Sequence, residues 1–228
     1  MDTLPPEVQF LIDEPRDTDW EFEEFFGSEV KPKPIPFPII EIQNQWAQPL
    51  TKMACGQYWL VQLINAQDKI YNAINKNPKP EIQAIDCWRE ILAGNPNAET
   101  MGTTLQSNLD YHRRKGNISG YLKVSTKEQI MQAIDMNQYI YTGSQTGDWV
   151  SVRNEHIYKL RTDHKIVGHI TGYGKYDDEF IFGINSYGKN NGIFKVPWDI
   201  FLWHFFTKYC ILDSGMTEAI AKYRLTRK

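Results

Sequence analysis

Three segments of this chain carry side chains that together could perform nucleophilic catalysis. Cys55 opens a long apolar run, His169 stands at the start of a strand-like run, and Asn185 ends the next strand-like run. A thiolate attacks carbonyl carbon, an imidazole moves the proton, and a side-chain amide orients the imidazole. These residue types predict acyl-transfer chemistry by a thiol nucleophile.

The segment around His169 reads as two strands joined by an acidic turn. It runs GHITGYGKYDDEFIFGINSYG over residues 168–188, with the turn at 175–179 and large apolar residues at 180, 181, 182 and 184. Two such strands form a hairpin. The hairpin is expected to bring Asn185 beside His169.

The segment around Cys55 reads as the beginning of a buried helix. Residues 55–75 are apolar on nearly all sides, which is typical of a helix inside a domain rather than on its surface. A cysteine in the first turn lies at the positive end of the helix dipole, and a neighbouring imidazolium adds to that effect. We therefore expect the pKa of Cys55 to lie well below the value of about 8.5 for free cysteine.

This pattern resembles the papain-like cysteine peptidases. That family has Gly-His, a strand, Gly-Tyr, a second strand and Asn-Ser-Trp-Gly around its general base, and here Gly168-His169, Tyr176 and Asn185-Ser186-Tyr187-Gly188 match without a gap. Tyr187 replaces the family tryptophan, and Lys175 replaces a glycine. The resemblance implies an α+β, two-lobed fold in which a long buried helix packs against a twisted antiparallel sheet.

The resemblance leaves two registers for the nucleophile. In the first, Cys55 is the nucleophile, preceded by the small residue Ala54. In the second, residues 55–59 overlay the family's Cys-Gly-Ser-Cys-Trp, so that Tyr58 occupies the nucleophile position and the protein is inactive. We favour the first register, in which Cys55, His169 and Asn185 form the catalytic set.

The resemblance also implies a glutamine that donates its amide to the oxyanion. Gln48 lies seven residues before Cys55, one more than the usual family spacing, and is our first candidate. Gln45 follows Asn44, as in the family's Asn-Gln pair, but requires a larger insertion.

Composition predicts one globular domain over residues 39–228. The chain has 228 residues, of which 41% are hydrophobic and 13% aromatic, and no apolar stretch is long enough to span a membrane. Its acidic, proline-containing start is unlike a secretory signal peptide. Its three cysteines suggest neither a disulfide framework nor a metal site. We expect no cofactor, no membrane or nucleic-acid partner, and a cytoplasmic or virion-associated protein.

Residues 1–38 are predicted to form an extended arm rather than a domain. Residues 1–30 contain ten acidic residues and one basic residue, whereas the rest of the chain has a net charge of +6. Seven of the twelve prolines lie in residues 1–38, which favours an extended path. Four aromatic residues lie among the acids of residues 20–26 and are costly to leave in water. The arm is therefore predicted to dock on its own domain or on a protein partner.

Two functions follow from these observations. The first is a thiol hydrolase that cleaves peptide or protein substrates with Cys55, His169 and Asn185, helped by Gln48. The second is an inactive papain-like structural or adaptor protein, such as a virion or assembly component, that binds a partner through the arm. The remaining expected elements are helices at 81–92, 102–115, 129–136 and 214–228, and strands at 139–141, 149–152 and 156–160.

Overall fold

The computed structural model describes residues 20–21, 43–74, 78–144, 148–152, 155–159, 169–184, 186 and 193–213. Within them the protein is an α+β fold, in which helices pack against one mixed, mainly antiparallel sheet. The α+β class predicted from the sequence is therefore confirmed. The predicted helix at 214–228 and all of the predicted arm except Trp20–Glu21 lie outside the described residues.

The first helix, α1, spans Cys55–Ile74 and lies at the centre of the fold, as the sequence predicts. One side packs on the strand that begins at His169, and the other side packs on two later helices. Trp59 and Leu63 join the larger core with the sheet, whereas Tyr58 and Val61 join a smaller apolar cluster. The helix is less apolar than its burial suggests, because its buried side chains include Gln57, Gln62, Asn65, Gln67 and Asp68.

Five shorter helices follow in the described part of the chain. They are α2 (Ala84–Gly94), α3 (Ala98–Met101), α4 (Leu105–Arg114), α5 (Lys127–Asp135) and α6 (Trp198–His204). The predicted helix at 102–115 corresponds to α4, which begins three residues later, at Leu105; the short α3 before it was not predicted. Gly102, with φ of 74°, ends α3, and Thr104 caps α4 through the Ser107 amide.

One sheet contains the nine strands found in the described residues. They are β1 (Trp20–Glu21), β2 (Ile118–Val124), β3 (Ile140–Ser144), β4 (Asp148–Val152), β5 (Glu155–Lys159), β6 (His169–Tyr176), β7 (Phe180–Ile184), β8 (Ile193–Pro197) and β9 (Lys208–Asp213). Their order is β1-β2-β9-β3-β6-β7-β8-β5-β4. The β1–β2 and β5–β8 pairs are parallel, and the other described pairs are antiparallel.

The hairpin predicted around His169 is present as β6 and β7. The two strands pair antiparallel, with Tyr173 opposite Gly183 and Tyr176 opposite Ile181. Gly183 lets the sheet pack closely, since a Cβ there would come within 2.5 Å of the Gly172 carbonyl oxygen and of the Phe194 ring. β6 itself packs on α1, where a Cβ on Gly172 would come within 2.6 Å of the Leu63 side chain.

The described part of the arm forms the edge of the sheet. Trp20 lies opposite Leu122 and Glu21 opposite Lys123 in parallel pairing with β2. The arm thus contacts its own domain through main-chain pairing at these two residues.

No helix in the described ranges is long and apolar enough to cross a membrane.

Candidate functional site

Cys55 is the first residue of α1, and its side chain is half-buried. Its sulfur makes backbone hydrogen bonds with Ile170, Gly56 and Cys55 itself. Two of these groups belong to the first turn of α1, where amides have no partner within the helix. The third belongs to the residue after His169. The thiol is therefore held between the start of the helix and the start of β6.

His169 is the first residue of β6 and is half-buried. It lies opposite Ser144 of β3, in a sheet register that continues through Ile170 and Gly143. Burial lowers the pKa of His169 to about 4, because the low-polarity surroundings disfavour the charged imidazolium. The ring is therefore neutral above about pH 4 and can accept a proton.

The electrostatics of Cys55 differ from the sequence-based expectation. Burial raises the pKa of the Cys55 thiol above its ordinary value, and the three backbone hydrogen bonds only partly oppose this. The helix start was expected to lower this pKa, but desolvation of the sulfur is the larger effect. The two side chains are therefore a neutral thiol and a neutral imidazole at rest, not a preformed ion pair.

Tyr58, the alternative nucleophile position, packs in a different apolar cluster from Cys55. Its side chain is 4% exposed and belongs to the apolar cluster that contains Ala84 and Trp88 of α2. The Tyr58 side chain also makes a hydrogen bond with the side chain of Thr51. Cys55, in contrast, packs against the core that contains Ile170.

The two candidate oxyanion glutamines are placed differently. The Gln48 side chain is exposed, in the loop before a short 3-10 turn, Pro49–Thr51. Gln45 is 2% exposed, and its Nε2 donates to the carbonyl oxygen of Lys52 at 3.3 Å. Among the described residues, Lys52 is the acceptor found for that amide group, and its second hydrogen is not paired with another of them.

Ser186 holds Gln45 in place through both its main chain and its side chain. The Gln45 amide donates to the Ser186 carbonyl oxygen at 3.0 Å, and the Ser186 hydroxyl donates to Gln45 Oε1 at 2.5 Å. The Gln45 carbonyl in turn accepts a hydrogen bond from the Thr51 hydroxyl. The segment before Cys55 is therefore tied to the segment that follows β7.

Asn185, the predicted orienting amide, lies outside the described residues. Its neighbours in the sequence are described: β7 ends at Ile184, and Ser186 is fully buried and donates a hydrogen bond to Gln45. In the sequence, Ser186 stands out only as part of the Asn-Ser motif. Its pairing with Gln45, 141 residues away, has no local sequence signal.

The other two cysteines are less accessible than Cys55. Cys87 and Cys210 are buried, and burial raises the pKa of each thiol. All three cysteines are free thiols. Within the described residues, no group of three or more His, Cys, Asp or Glu side chains could hold a metal ion.

No protein-family model matches this chain, and no curated protein sequence matches it significantly.

Proposed function

We propose that this protein is a papain-like thiol hydrolase that cleaves peptide or protein substrates with Cys55 and His169. The observation that carries the proposal is the position of the Cys55 sulfur. It lies at the start of a buried helix and makes a hydrogen bond with the backbone of Ile170, the residue after His169. Cys55 on α1 and His169 on β6 thus stand at the starts of two elements that pack against each other, as a nucleophile and its base require.

The neutral state of both groups defines the first step. As Cys55 Sγ attacks the substrate carbonyl carbon, its proton passes to the neutral His169 imidazole. The carbonyl π bond opens to a tetrahedral oxyanion. When the intermediate collapses, the scissile bond breaks, and His169 returns the proton to the leaving amine. A water molecule, deprotonated by His169, then cleaves the thioester and restores the thiol. In this proposal Asn185 orients the His169 ring, as the resemblance implies.

For the oxyanion we propose the Cys55 backbone amide together with the Gln45 side chain. Gln45 is buried and fixed by Ser186 and Lys52, so its amide is preorganised, whereas Gln48 is exposed. Preorganised donors stabilise the transition state without further ordering.

The basic test uses covalent labelling. The full chain is treated at neutral pH with an epoxysuccinyl reagent, and modified residues are located by mass spectrometry. Selective labelling of Cys55, with release of new amino groups from a peptide library by the unlabelled protein, would support the proposal. Labelling of Cys55 without any cleavage of peptides would limit the protein to thiol reactivity and would contradict the hydrolase.

The two glutamines offer a matched pair of variants. We expect Gln45→Ala to lower the hydrolysis rate by about 10²–10³-fold, the usual cost of one lost oxyanion donor. Gln48→Ala should change the rate less than about threefold, since its side chain is exposed. Steady-state kinetics on a cleaved peptide would measure both. The opposite ranking would assign the oxyanion role to Gln48, the first candidate from the sequence.

The pairing of β1 with β2 favours a second candidate function, binding through the arm. Trp20 and Glu21, which belong to the acidic, aromatic part of the arm, form the edge strand among the described residues, and Glu21 is in register with Lys123. Main-chain pairing at a sheet edge is a common way to bind an extended peptide. In this proposal the arm of an inactive papain-like protein leaves its own edge to join an assembly partner.

Docking of the arm should depend on both salt and aromatic contact. We expect Trp20→Ala, or an increase in salt from 0.05 to 1 M, to make residues 1–38 about tenfold more sensitive to limited proteolysis. Thr3→Ala, in the same acidic arm, serves as a control that removes no aromatic ring or charge. Equal cleavage rates in all three proteins at both salt concentrations would contradict docking of the arm.

A further inference from the structure

A chain of buried hydrogen bonds ends at the residue next to the nucleophile. Its donors and acceptors, in order, are Asn117 Nδ2 to His112 Nδ1 (2.8 Å), His112 Nε2 to Gln57 Oε1 (2.8 Å), Gln57 Nε2 to Asn108 Oδ1 (2.8 Å), Asn108 Nδ2 to Tyr141 OH (3.0 Å) and Tyr141 OH to the Gly56 carbonyl oxygen (3.0 Å). The chain connects α4 and β3 to the first turn of α1. We name it the His112 chain.

All hydrogen bonds of the His112 chain run from donor to acceptor in the same direction, from Asn117 toward Gly56. Asn117 donates to Nδ1 of His112, so the neutral ring carries its proton on Nε2 and donates it to Gln57. Burial lowers the pKa of His112 to about 3, which keeps this ring neutral at any ordinary pH. Each donor then points toward Gly56, and hydrogen bonds aligned in series polarise and strengthen one another.

The residues of the His112 chain are unusually well buried for polar groups. Gln57, Asn108, His112 and Tyr141 are each 0% exposed. Burying such groups costs free energy even when all are paired, and apolar residues would fill the same space without that cost. A network that is retained at this cost and ends at the catalytic turn calls for a role beyond packing.

Gly56 lets the side chains at the end of the His112 chain pack directly against the backbone of α1. A Cβ on Gly56 would lie 2.3 Å from Asn108 Nδ2 and 2.9 Å from the Tyr141 hydroxyl oxygen. Glycine in a helix costs roughly 0.5–1 kcal/mol relative to alanine. Its presence directly after Cys55 is therefore explained by the contact with Asn108 and Tyr141.

We infer that the His112 chain positions the nucleophile: it fixes the first turn of α1 so that the Cys55 sulfur meets the Ile170 and Gly56 backbone groups. Tyr141 is the positioning residue at its end, since it touches the Gly56 carbonyl and not the substrate. Cys55 precedes Gly56, and its sulfur makes a hydrogen bond with the Gly56 backbone. A shift of this turn therefore changes the environment of the sulfur directly. The inference rests on the proposed role of Cys55 as nucleophile.

Tyr141→Phe tests this role because it removes one hydroxyl group and keeps the ring. Tyr209→Phe is the matched control: Tyr209 is a 0% exposed tyrosine of β9 in the same sheet, and its hydroxyl accepts from Gln106 Nε2 at 2.9 Å. We expect Tyr141→Phe to slow carbamidomethylation of Cys55 by iodoacetamide about tenfold at pH 7 and to make the rate rise with pH between pH 5 and 8, because a displaced thiol reacts with less help from its base. Tyr209→Phe should leave rate and profile within about twofold of wild type, although both variants lose a buried hydrogen bond and some thermal stability.

Asn117→Ala gives a second measurement at the far, half-buried end of the chain. It should slow the same reaction by about two- to threefold, since it removes only the polarising donor to His112. Wild-type Cys55 that reacts no faster than Cys87 would overturn the proposed function itself. Reactive wild-type Cys55 with equal profiles in the Tyr141→Phe and Tyr209→Phe proteins would overturn only the positioning role. If Tyr141→Phe does not fold, an unchanged rate in Asn117→Ala overturns it.

Discussion

Iodoacetamide should modify Cys55 at pH 6–7 at least about a hundredfold faster than Cys87 or Cys210, and His169→Ala should remove most of that difference. Cys55 is half-buried and makes a backbone hydrogen bond with Ile170, the residue after the proposed base His169, whereas the other two thiols are buried. A positioned base contributes typically 10²–10⁴-fold to such a reaction. We therefore expect a loss of about 10²–10³-fold in His169→Ala, measured by mass spectrometry of peptides after timed quenching.

The pH dependence of this reaction follows from the lowered pKa of His169 and the raised pKa of Cys55. His169, with a pKa of about 4, is neutral and able to accept a proton at all higher pH values, so the wild-type rate should be nearly flat from pH 5 to 8 and fall near pH 4. Burial raises the pKa of Cys55, so thiolate without a base forms only at alkaline pH. In His169→Ala the rate should therefore rise about tenfold per pH unit over the same range.

Absorbance near 240 nm separates this neutral pair from a preformed thiolate–imidazolium pair. The difference between wild type and Cys55→Ser should show no thiolate at pH 6 and should show it only above about pH 9. His204→Ala serves as the control for histidine loss, since His204 lies on α6 beside Trp203 and Phe205. A thiolate signal at pH 6 would contradict the neutral pair, and equal reactivity in wild type and His169→Ala would contradict the role of His169.

The sequence predicted the parts of this fold that depend on local patterns. The helix from Cys55 and the hairpin from His169 have strong periodic signals and clear boundaries, and both were predicted within a residue or two. The helix predicted at 129–136 is present as α5, which begins two residues earlier, at Lys127, because Thr126 and Gln129 form a capping box there. In these segments local preference and tertiary packing favour the same structure.

The sequence did not predict elements that form because of tertiary contacts. The helix α6 begins after Pro197 in an aromatic segment that reads equally well as a strand. Its Phe201 ring contacts Tyr173 of β6 at 4.7 Å between centroids, and the Lys208 amino group donates to the Phe205 carbonyl oxygen after the helix. Both contacts are made with residues that a local pattern does not include. Burial of the Cys55 sulfur, which sets the direction of its pKa, has the same origin.

The two registers for the nucleophile, Cys55 and Tyr58, show how a short motif leaves alternatives open. Residues 55–59 match a family pattern that places Tyr58 as the nucleophile, and this match rests on Gly56 and Trp59. In the structure Gly56 provides space for Asn108, and Trp59 contacts Phe194 in the core at 5.6 Å between ring centroids. Packing therefore explains the presence of both residues without reference to the family pattern.

Gly56→Ala should be one of the most damaging single-methyl changes in this domain. The added Cβ would lie 2.3 Å from Asn108 Nδ2 and 3.0 Å from Ile170 Cδ1. Asn108 cannot withdraw easily, because it is 0% exposed and bonded to both Gln57 and Tyr141. Overpacking costs typically 1–3 kcal/mol, and a buried polar group left unpaired costs about 1–3 kcal/mol more.

Gly94→Ala is the matched control for this change. Gly94 is the last residue of α2, and a Cβ there has no atom within 4 Å. Alanine should therefore be neutral or stabilise the helix by up to about 1 kcal/mol, through helix propensity and a less flexible unfolded chain. The same methyl group is thus expected to act with opposite signs at the two positions.

Thermal unfolding followed by circular dichroism measures this contrast. For a domain of this size about 1 kcal/mol shifts Tm by roughly 2–4 °C, so Gly56→Ala should lower Tm by roughly 5–15 °C and Gly94→Ala should leave it unchanged or raise it slightly. If Gly56→Ala melts within 2 °C of wild type, the space beside Cys55 is not filled by Asn108 and Tyr141 as described, and the His112 chain loses its contact with the nucleophile turn. If it melts lower and Cys55 also becomes slower to alkylate, packing and reactivity at this turn depend on the same contact.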